Sequence, residues 1–69
     1  MKSKHGKLAQ EFFGVALENE VLKSARGYHI GTADPEKGPI SRESEEYWRS
    51  ENKANQALVT GTWTQRIEP

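Results

Sequence analysis

The chain has 69 residues, no cysteine, and ten basic against ten acidic side chains. A chain of this length has room for one hydrophobic core and buries only about 60% of the surface that its unfolded form exposes. Disulfide stabilisation is excluded, and the balanced charge excludes a strong overall field toward DNA or an anionic membrane. Because no apolar run has the length of a membrane span and no signal-peptide pattern is found, we expect a cytoplasmic protein.

The N-terminal part of the chain contains a predicted tail and a predicted helix. Residues 1–6 are basic and polar, and we expect them to form a flexible tail that precedes a single domain over residues 7–69. From Lys7 to about Ser24 apolar residues recur at helical spacing, and Gly27 is a suitable C-terminal stop. The apolar positions are Leu8, Phe12, Phe13, Val15, Ala16, Leu17, Val21 and Leu22. This apolar face is wider than a small sheet needs, which favours a homodimer formed through the first helix.

Two strands are predicted in the middle of the chain. Residues 28–33 are β-branched and aromatic enough for a strand, and residues 34–39 are dense in turn formers. Residues 40–48 alternate with a period of two, but neither side of this segment is cleanly apolar. We therefore expect a second strand that is buried mainly at its ends.

A second helix and a third strand are predicted at the C-terminal end. Ser50 is a good N-cap for a helix that ends at Gly61. Residues 62–67 have a period of two, which places Trp63 and Ile67 on one face of a short strand. The resulting order is helix, strand, strand, helix, strand. It predicts an α+β domain in which the helices pack on a short, mainly antiparallel sheet.

Candidate catalytic and metal-binding groups are few. His5 and His29 lack the spacing of a zinc site, and a histidine on a short strand is usually a packing residue. In a strand, His29 and Asp34 point to opposite faces, which argues against a catalytic triad. The glycines follow neither the phosphate-loop spacing nor the dinucleotide spacing. We therefore expect a protein that is not an enzyme and binds no metal or cofactor.

Aromatic and basic side chains lie close together in two places and form a candidate binding surface. Rings interleaved with guanidinium groups are typical of surfaces that bind single-stranded nucleic acid or a partner protein. Trp63, which would face Leu58 and Ile67, is expected in the core, whereas Trp48 fits either the core or the surface. The candidate residues for a partner or nucleic-acid surface are Arg42, Tyr47, Trp48, Arg49, Lys53 and Arg66.

Three parts of the sequence support a resemblance that extends over the whole chain. They are residues 27–34, residues 38–44 with Tyr47 and Trp48, and residues 57–58 with residues 60–66. In these parts and in length the chain resembles the small proteins of lambdoid, Rac-type prophage recombination regions. The resemblance implies a cytoplasmic, prophage-encoded protein that lowers the frequency of chromosomal double-strand breaks and acts near DNA replication or repair. It implies no mechanism and no catalytic or binding residues.

Three functions stay open. The first is a non-enzymatic binding protein that acts through a host replication or repair protein, because a surface of balanced charge supplies few phosphate contacts. The second is direct binding of single-stranded DNA through Trp48 and the basic residues beside it. The third is inhibition of a host nuclease or restriction enzyme by an acidic face. That face would consist of Glu43, Glu45 and Glu46, all three of which are expected to be solvated.

Overall fold

The computed structural model describes residues 4–68, which form two helices and a three-stranded antiparallel sheet with the strand order β1-β2-β3. The elements are α1 (Lys7–Phe13), β1 (Glu20–Ser24), β2 (Gly27–Asp34), β3 (Gly38–Arg42) and α2 (Glu51–Thr60). The predicted α+β class, with helices packed on a small antiparallel sheet, is confirmed. None of the helices in this part of the chain is long and apolar enough to cross a membrane.

The hydrophobic core lies between the sheet and α2. Ile30 on the central strand, Ala57 on α2, and Trp63 are buried together, and Trp48 and Leu58 pack against them. The core position predicted for Trp63 is therefore confirmed. Trp48, which the sequence left open, is a half-buried residue that packs against the core.

The first predicted helix is less than half as long as expected, with 7 residues. It ends at Phe13 because Gly14 adopts the left-handed conformation, with a φ of 67°. Glycine takes this conformation at little cost and ends helices in this way. The chain then becomes extended, and Glu20–Ser24 forms β1, which pairs with β2. The prediction of one helix from Lys7 to Ser24 is thus wrong beyond Phe13.

Of the remaining predicted elements, two are confirmed, one is shorter than predicted and one is wrong. The strand predicted over residues 28–33 is confirmed as β2, and the helix between Ser50 and Gly61 is confirmed as α2. The strand predicted over residues 40–48 ends at Arg42. The strand predicted over residues 62–67 is wrong. That segment makes a single bridge, between Gln65 and Ser44, and its Ile67 is 76% exposed.

The domain begins earlier than the predicted boundary at residue 7. The carbonyl of Lys4 accepts a hydrogen bond from the Asn19 amide at 2.7 Å, and His5 pairs with Glu18. Gly6 is buried and donates its amide to the carbonyl of Leu17 at 2.9 Å. Residues 4–6 therefore belong to the fold, whereas residues 1–3 of the predicted tail lie outside the described residues.

Candidate functional site

The carboxylate of Glu43 is fully buried immediately after β3, although the sequence predicted a solvated side chain. Oε1 accepts hydrogen bonds from the backbone amide of Leu8 at 3.0 Å and from Nε2 of Gln65 at 2.7 Å. Oε2 accepts from the amide of Ala9 at 3.0 Å and from the hydroxyl of Ser41 at 2.6 Å. One side chain thus joins the start of α1, strand β3 and the C-terminal segment.

These donors determine the protonation of Glu43. Burial by itself raises the pKa of the carboxyl group, because it disfavours the charged form. The hydrogen bonds from Leu8, Ser41, Gln65 and Ala9 favour the charged form and together lower the pKa below its ordinary value. The buried group is therefore a carboxylate at neutral pH.

The surroundings of Glu43 leave no room for a substrate. A Cβ atom on Gly6 would lie 2.7 Å from Oε2 of Glu43 and 2.4 Å from the Cγ2 methyl of Thr32. Both carboxylate oxygens already accept two hydrogen bonds each. A general base must reach the proton that it removes, and this carboxylate is enclosed by its own chain. Its function is to hold the fold together.

The two faces of the sheet differ in what covers them. Ile30 and Thr32 point toward the face on which α2 and the start of α1 pack. The other face, which we call the open face, carries Leu22, His29 and Arg42. These residues share a face because Leu22 pairs with His29 across β1 and β2, and Arg42 pairs with Gly31 across β3 and β2. Among residues 4–68 neither helix packs on the open face.

Tyr47 lies on the open face and gathers three cationic or aromatic side chains around its ring. The His29 ring meets it edge to face, with 5.5 Å between the ring centroids. The guanidinium carbon of Arg42 lies 4.7 Å from the Tyr47 centroid, and that of Arg26 lies 5.9 Å from it. Arg42 also donates a hydrogen bond from Nη1 to the Tyr47 hydroxyl. We call Arg26, His29, Arg42 and Tyr47 the Tyr47 cluster.

The Tyr47 cluster carries positive charge that no carboxylate of the described residues neutralises. The only partner of the Arg42 guanidinium in residues 4–68 is Tyr47, and Arg26 contacts only the same ring. Two buried nitrogens, Nδ1 of His29 and Nε of Arg42, have no hydrogen-bond partner within this part of the chain. Burial lowers the pKa of His29, and the neighbouring charge of Arg42 lowers it further. The cluster is suited to binding an anionic group.

The structure brings together two of the six candidate surface residues, Arg42 and Tyr47. Trp48 packs against the core instead, and its amide and carbonyl pair with Tyr28 at 2.7 and 2.8 Å. Arg49 and Lys53 are exposed near the start of α2 and make no ring contact within the described chain. Arg66 is half-buried and donates from Nε to the carbonyl of Glu68 at 3.2 Å. These four residues therefore do not extend the cluster.

Sequence reasoning missed Arg26 and His29 as members of the cluster. The predicted helix from Lys7 to about Ser24 gave no reason to bring Arg26 near Tyr47, whereas Arg26 lies in the turn between β1 and β2. His29 was expected to be a packing residue, and at 9% exposure it is one. Its contact with Tyr47 depends on a bend of the chain after β3, which a period-two pattern does not reveal. The sequence offered one signal for this contact. If the two predicted strands pair, the period-two alternation of side chains along each strand can place His29 and Arg42 on the same face of the sheet.

Two of the three glutamates of the acidic face proposed for nuclease inhibition are engaged within the fold. Glu43 is buried, and both carboxylate oxygens of Glu46 accept a hydrogen bond from the Thr64 amide, at 2.9 and 3.0 Å. Glu45 is exposed. Carboxylates that bind the backbone in this way are not available to imitate DNA phosphates.

The chain shows no similarity that would assign a function. Comparison with protein-family models, with curated proteins and with solved structures finds no match. Residues 4–68 also hold no group of three histidine, aspartate or glutamate side chains placed to bind a metal ion. The functional argument therefore depends on the geometry of the Tyr47 cluster.

Proposed function

We propose that this protein is a non-enzymatic, prophage-encoded binding protein of the cytoplasm, and that it reduces chromosomal double-strand breaks by acting on a host protein of DNA replication or repair. The observation that carries the binding function is the Tyr47 cluster, where two arginines that have no carboxylate partner within residues 4–68 contact one tyrosine on the open face. Arginine and tyrosine are enriched where protein surfaces bind one another. The resemblance to small prophage proteins supports the cellular setting.

Binding accounts for the buried polar groups better than catalysis does. The buried carboxylate of Glu43 is saturated by hydrogen bonds, and His29 faces Arg42 and Tyr47 instead of a nucleophile or a second base. A general base next to a guanidinium group and shielded from solvent loses basicity. Neither group is thus placed to move a proton on a substrate.

A protein partner fits the charges of the open face better than a nucleic acid does. Glu20 pairs with Gly31 and lies in the same row across the sheet as Arg42. Glu45 is exposed two residues before Tyr47. An extended polyphosphate that crossed this face would meet the carboxylate of Glu20, and the chain has no net charge to offset the repulsion. A protein partner with a short anionic segment could bind at the Tyr47 cluster without meeting that carboxylate.

Affinity capture from the host under replication stress tests the proposal. The tagged wild-type protein, an Arg26→Ala variant and a Lys37→Ala control are compared. Lys37 is an exposed cation in the turn between β2 and β3, and it makes no contact with Tyr47. We expect the wild type and the control to recover the same replication or repair protein and the Arg26 variant to recover less of it. Equal recovery by all three, or no protein of this class, contradicts the proposal.

Direct binding of single-stranded DNA is a second candidate, favoured by the guanidinium groups next to the Tyr47 ring. Tryptophan quenching is a poor test because Trp63 is buried in the core and Trp48 is half-buried against it. The anisotropy of a labelled oligonucleotide at low salt is a better one. Tight binding with a steep salt dependence would support this candidate over the protein partner.

We also propose that the chain forms a homodimer through α1. Phe12 and Phe13 at the end of this helix are 52% and 50% exposed, and they are adjacent in the chain. Two half-exposed phenylalanines next to each other supply an apolar contact that a second copy could cover. The buried core of one copy is small, so a second copy would add substantially to the buried apolar area.

A further inference from the structure

We propose that the Tyr47 cluster is a receptor for carboxylate side chains in an acidic peptide segment of the partner. The inference deepens the proposed function and rests on it for the existence of a protein partner. Its basis is charge complementarity at one small site. Arg26 and Arg42 contact the same ring, and neither is paired with a carboxylate within residues 4–68.

The orientation of Arg42 suits a carboxylate. Its Nη1 donates to the Tyr47 hydroxyl and its carbon lies 4.7 Å from the Tyr47 centroid, so the planar group is held by two contacts. Nε of this guanidinium is buried, and the described residues provide no acceptor for Nη2, which leaves Nη1 and Nη2 as the pair that a carboxylate would bind. A guanidinium group binds a carboxylate through two parallel hydrogen bonds, and holding it in place beforehand reduces the entropy lost on binding.

Arg26 supplies a second cation on a different element. It is exposed in the turn between β1 and β2, whereas Arg42 ends β3. The shared ring places both within reach of one short ligand segment. Glu20, on the same row of the open face as Arg42, limits the positive region on the β1 side of this site. One or two carboxylates fit such a region, whereas a continuous row of phosphates would extend beyond it.

Peptide titration followed by NMR tests the inference on the full chain. The probes are a capped peptide of glutamate and glycine, the same peptide with glutamine in place of glutamate, and a single-stranded oligothymidylate. We expect the glutamate peptide to shift the amide signals of Tyr47 and Arg42 in a saturable way. The glutamine peptide should not shift them, and the oligothymidylate should bind more weakly than the glutamate peptide.

Two variants and one control separate a specific site from general attraction. Arg26→Ala should weaken binding of the glutamate peptide about three- to fivefold, as expected for the loss of one exposed ion pair. Arg42→Lys keeps the charge but loses the two-pronged geometry, so it should also weaken binding. Lys37→Ala should have no effect. Circular dichroism shows whether each variant is folded, and Arg26 is exposed, so its removal leaves the core intact.

The outcomes distinguish this inference from the proposed function. Equal shifts with the glutamine peptide, no saturable shift at millimolar peptide, or tighter binding of the oligonucleotide would overturn it. If captured host protein depends on Arg26 while the glutamate peptide does not bind, the proposed function stands and the carboxylate receptor is wrong. If the peptide binds as expected while no replication or repair protein is captured, the receptor stands and the proposed function is wrong.

Discussion

The carboxylate of Glu43 connects three parts of the chain that are far apart in sequence, through donors from Leu8, Ala9, Ser41 and Gln65. Glu43→Gln keeps the size of the side chain but removes its charge and turns an NH₂ group toward one pair of these donors. Buried donors then lose their acceptor, so we expect the free energy of unfolding to fall by about 2 to 4 kcal/mol. Urea denaturation followed by circular dichroism measures this change.

The matched control for this substitution is Glu45→Gln. Glu45 is two residues away and exposed, and its side chain has no partner in the described chain. The control should change stability by less than about 0.5 kcal/mol. A Glu43→Gln variant as stable as this control would show that the buried carboxylate does not hold the segments together.

The pH dependence of stability follows from the same carboxylate. The pKa of Glu43 in the folded chain is below its ordinary value of 4.5, because its four donors outweigh the effect of burial. Between these two values the unfolded chain binds more protons, so stability is complete above pH 4.5 and falls as the pH drops toward the folded pKa. The urea midpoint of the wild type should fall steeply in this range, and that of Glu43→Gln should fall less. Equal slopes would contradict the prediction.

The lowered pKa of His29 adds a second pH range, above that of Glu43, in which the stability of the fold depends on pH. Burial lowers it below 6.5, and the charge of Arg42 lowers it further. The unfolded chain therefore takes up a proton at His29 at a higher pH than the folded chain does, and a loss of stability begins as the pH falls below 6.5. The loss of stability below pH 6.5 should persist in Glu43→Gln. Measuring the urea midpoint of this variant against pH therefore distinguishes the contribution of His29 from that of Glu43.

Helix α2 shows which elements a sequence of this length specifies locally. The hydroxyl of Ser50 accepts a hydrogen bond from the Lys53 amide at 3.2 Å. Ser50→Ala leaves that amide without its acceptor and should cost about 1 kcal/mol, whereas Ser50→Asp should retain most of the stability because aspartate also caps helices. Thermal unfolding of the two variants gives the comparison. Equal losses in both would mean that the side chain at this position acts through packing and not through the cap.

The same local signals explain which elements could be predicted. A cap at Ser50 and a glycine at Gly61 delimit α2, and β-branched and aromatic residues mark β2. Strand β1 could not be predicted because its apolar residues, Val21 and Leu22, also fit the helical spacing that continues from α1. The left-handed backbone at Gly14 ends α1 six residues before β1 begins, and a single glycine inside a helical pattern does not by itself predict a stop.

The candidate site was predictable to a smaller extent than the fold, because it is assembled from contacts between segments. Arg42 and Tyr47 were expected at a binding surface because rings and guanidinium groups lie close together in the sequence. Arg26 joins them only through the turn between β1 and β2, and His29 through the register of the sheet. The burial of Glu43 depends on donors from 35 residues earlier and 22 residues later in the chain. No local pattern encodes such distances.

At the scale of the whole molecule, the distribution of apolar surface predicts self-association. The core is formed by a few residues between the sheet and α2, while Phe12 and Phe13 at the end of α1 are half-exposed. Covering two phenylalanine rings removes apolar surface from water, and each square ångström contributes about 25 cal/mol. We expect the mass measured by light scattering to rise from monomer to dimer with concentration, and the midpoint of thermal unfolding to rise with it.

A double variant, Phe12→Ser with Phe13→Ser, should remain a monomer at every concentration, because it removes the apolar contact while leaving the buried Leu8 and Ala9 of α1 in place. The matched control is Val59→Ser, which removes an apolar side chain that is 84% exposed on α2. This control should associate like the wild type if the contact is specific to α1. A wild type that is monomeric at millimolar concentration would refute the dimer. Equal weakening by Val59→Ser would instead indicate association through apolar surface in general, without a defined interface on α1.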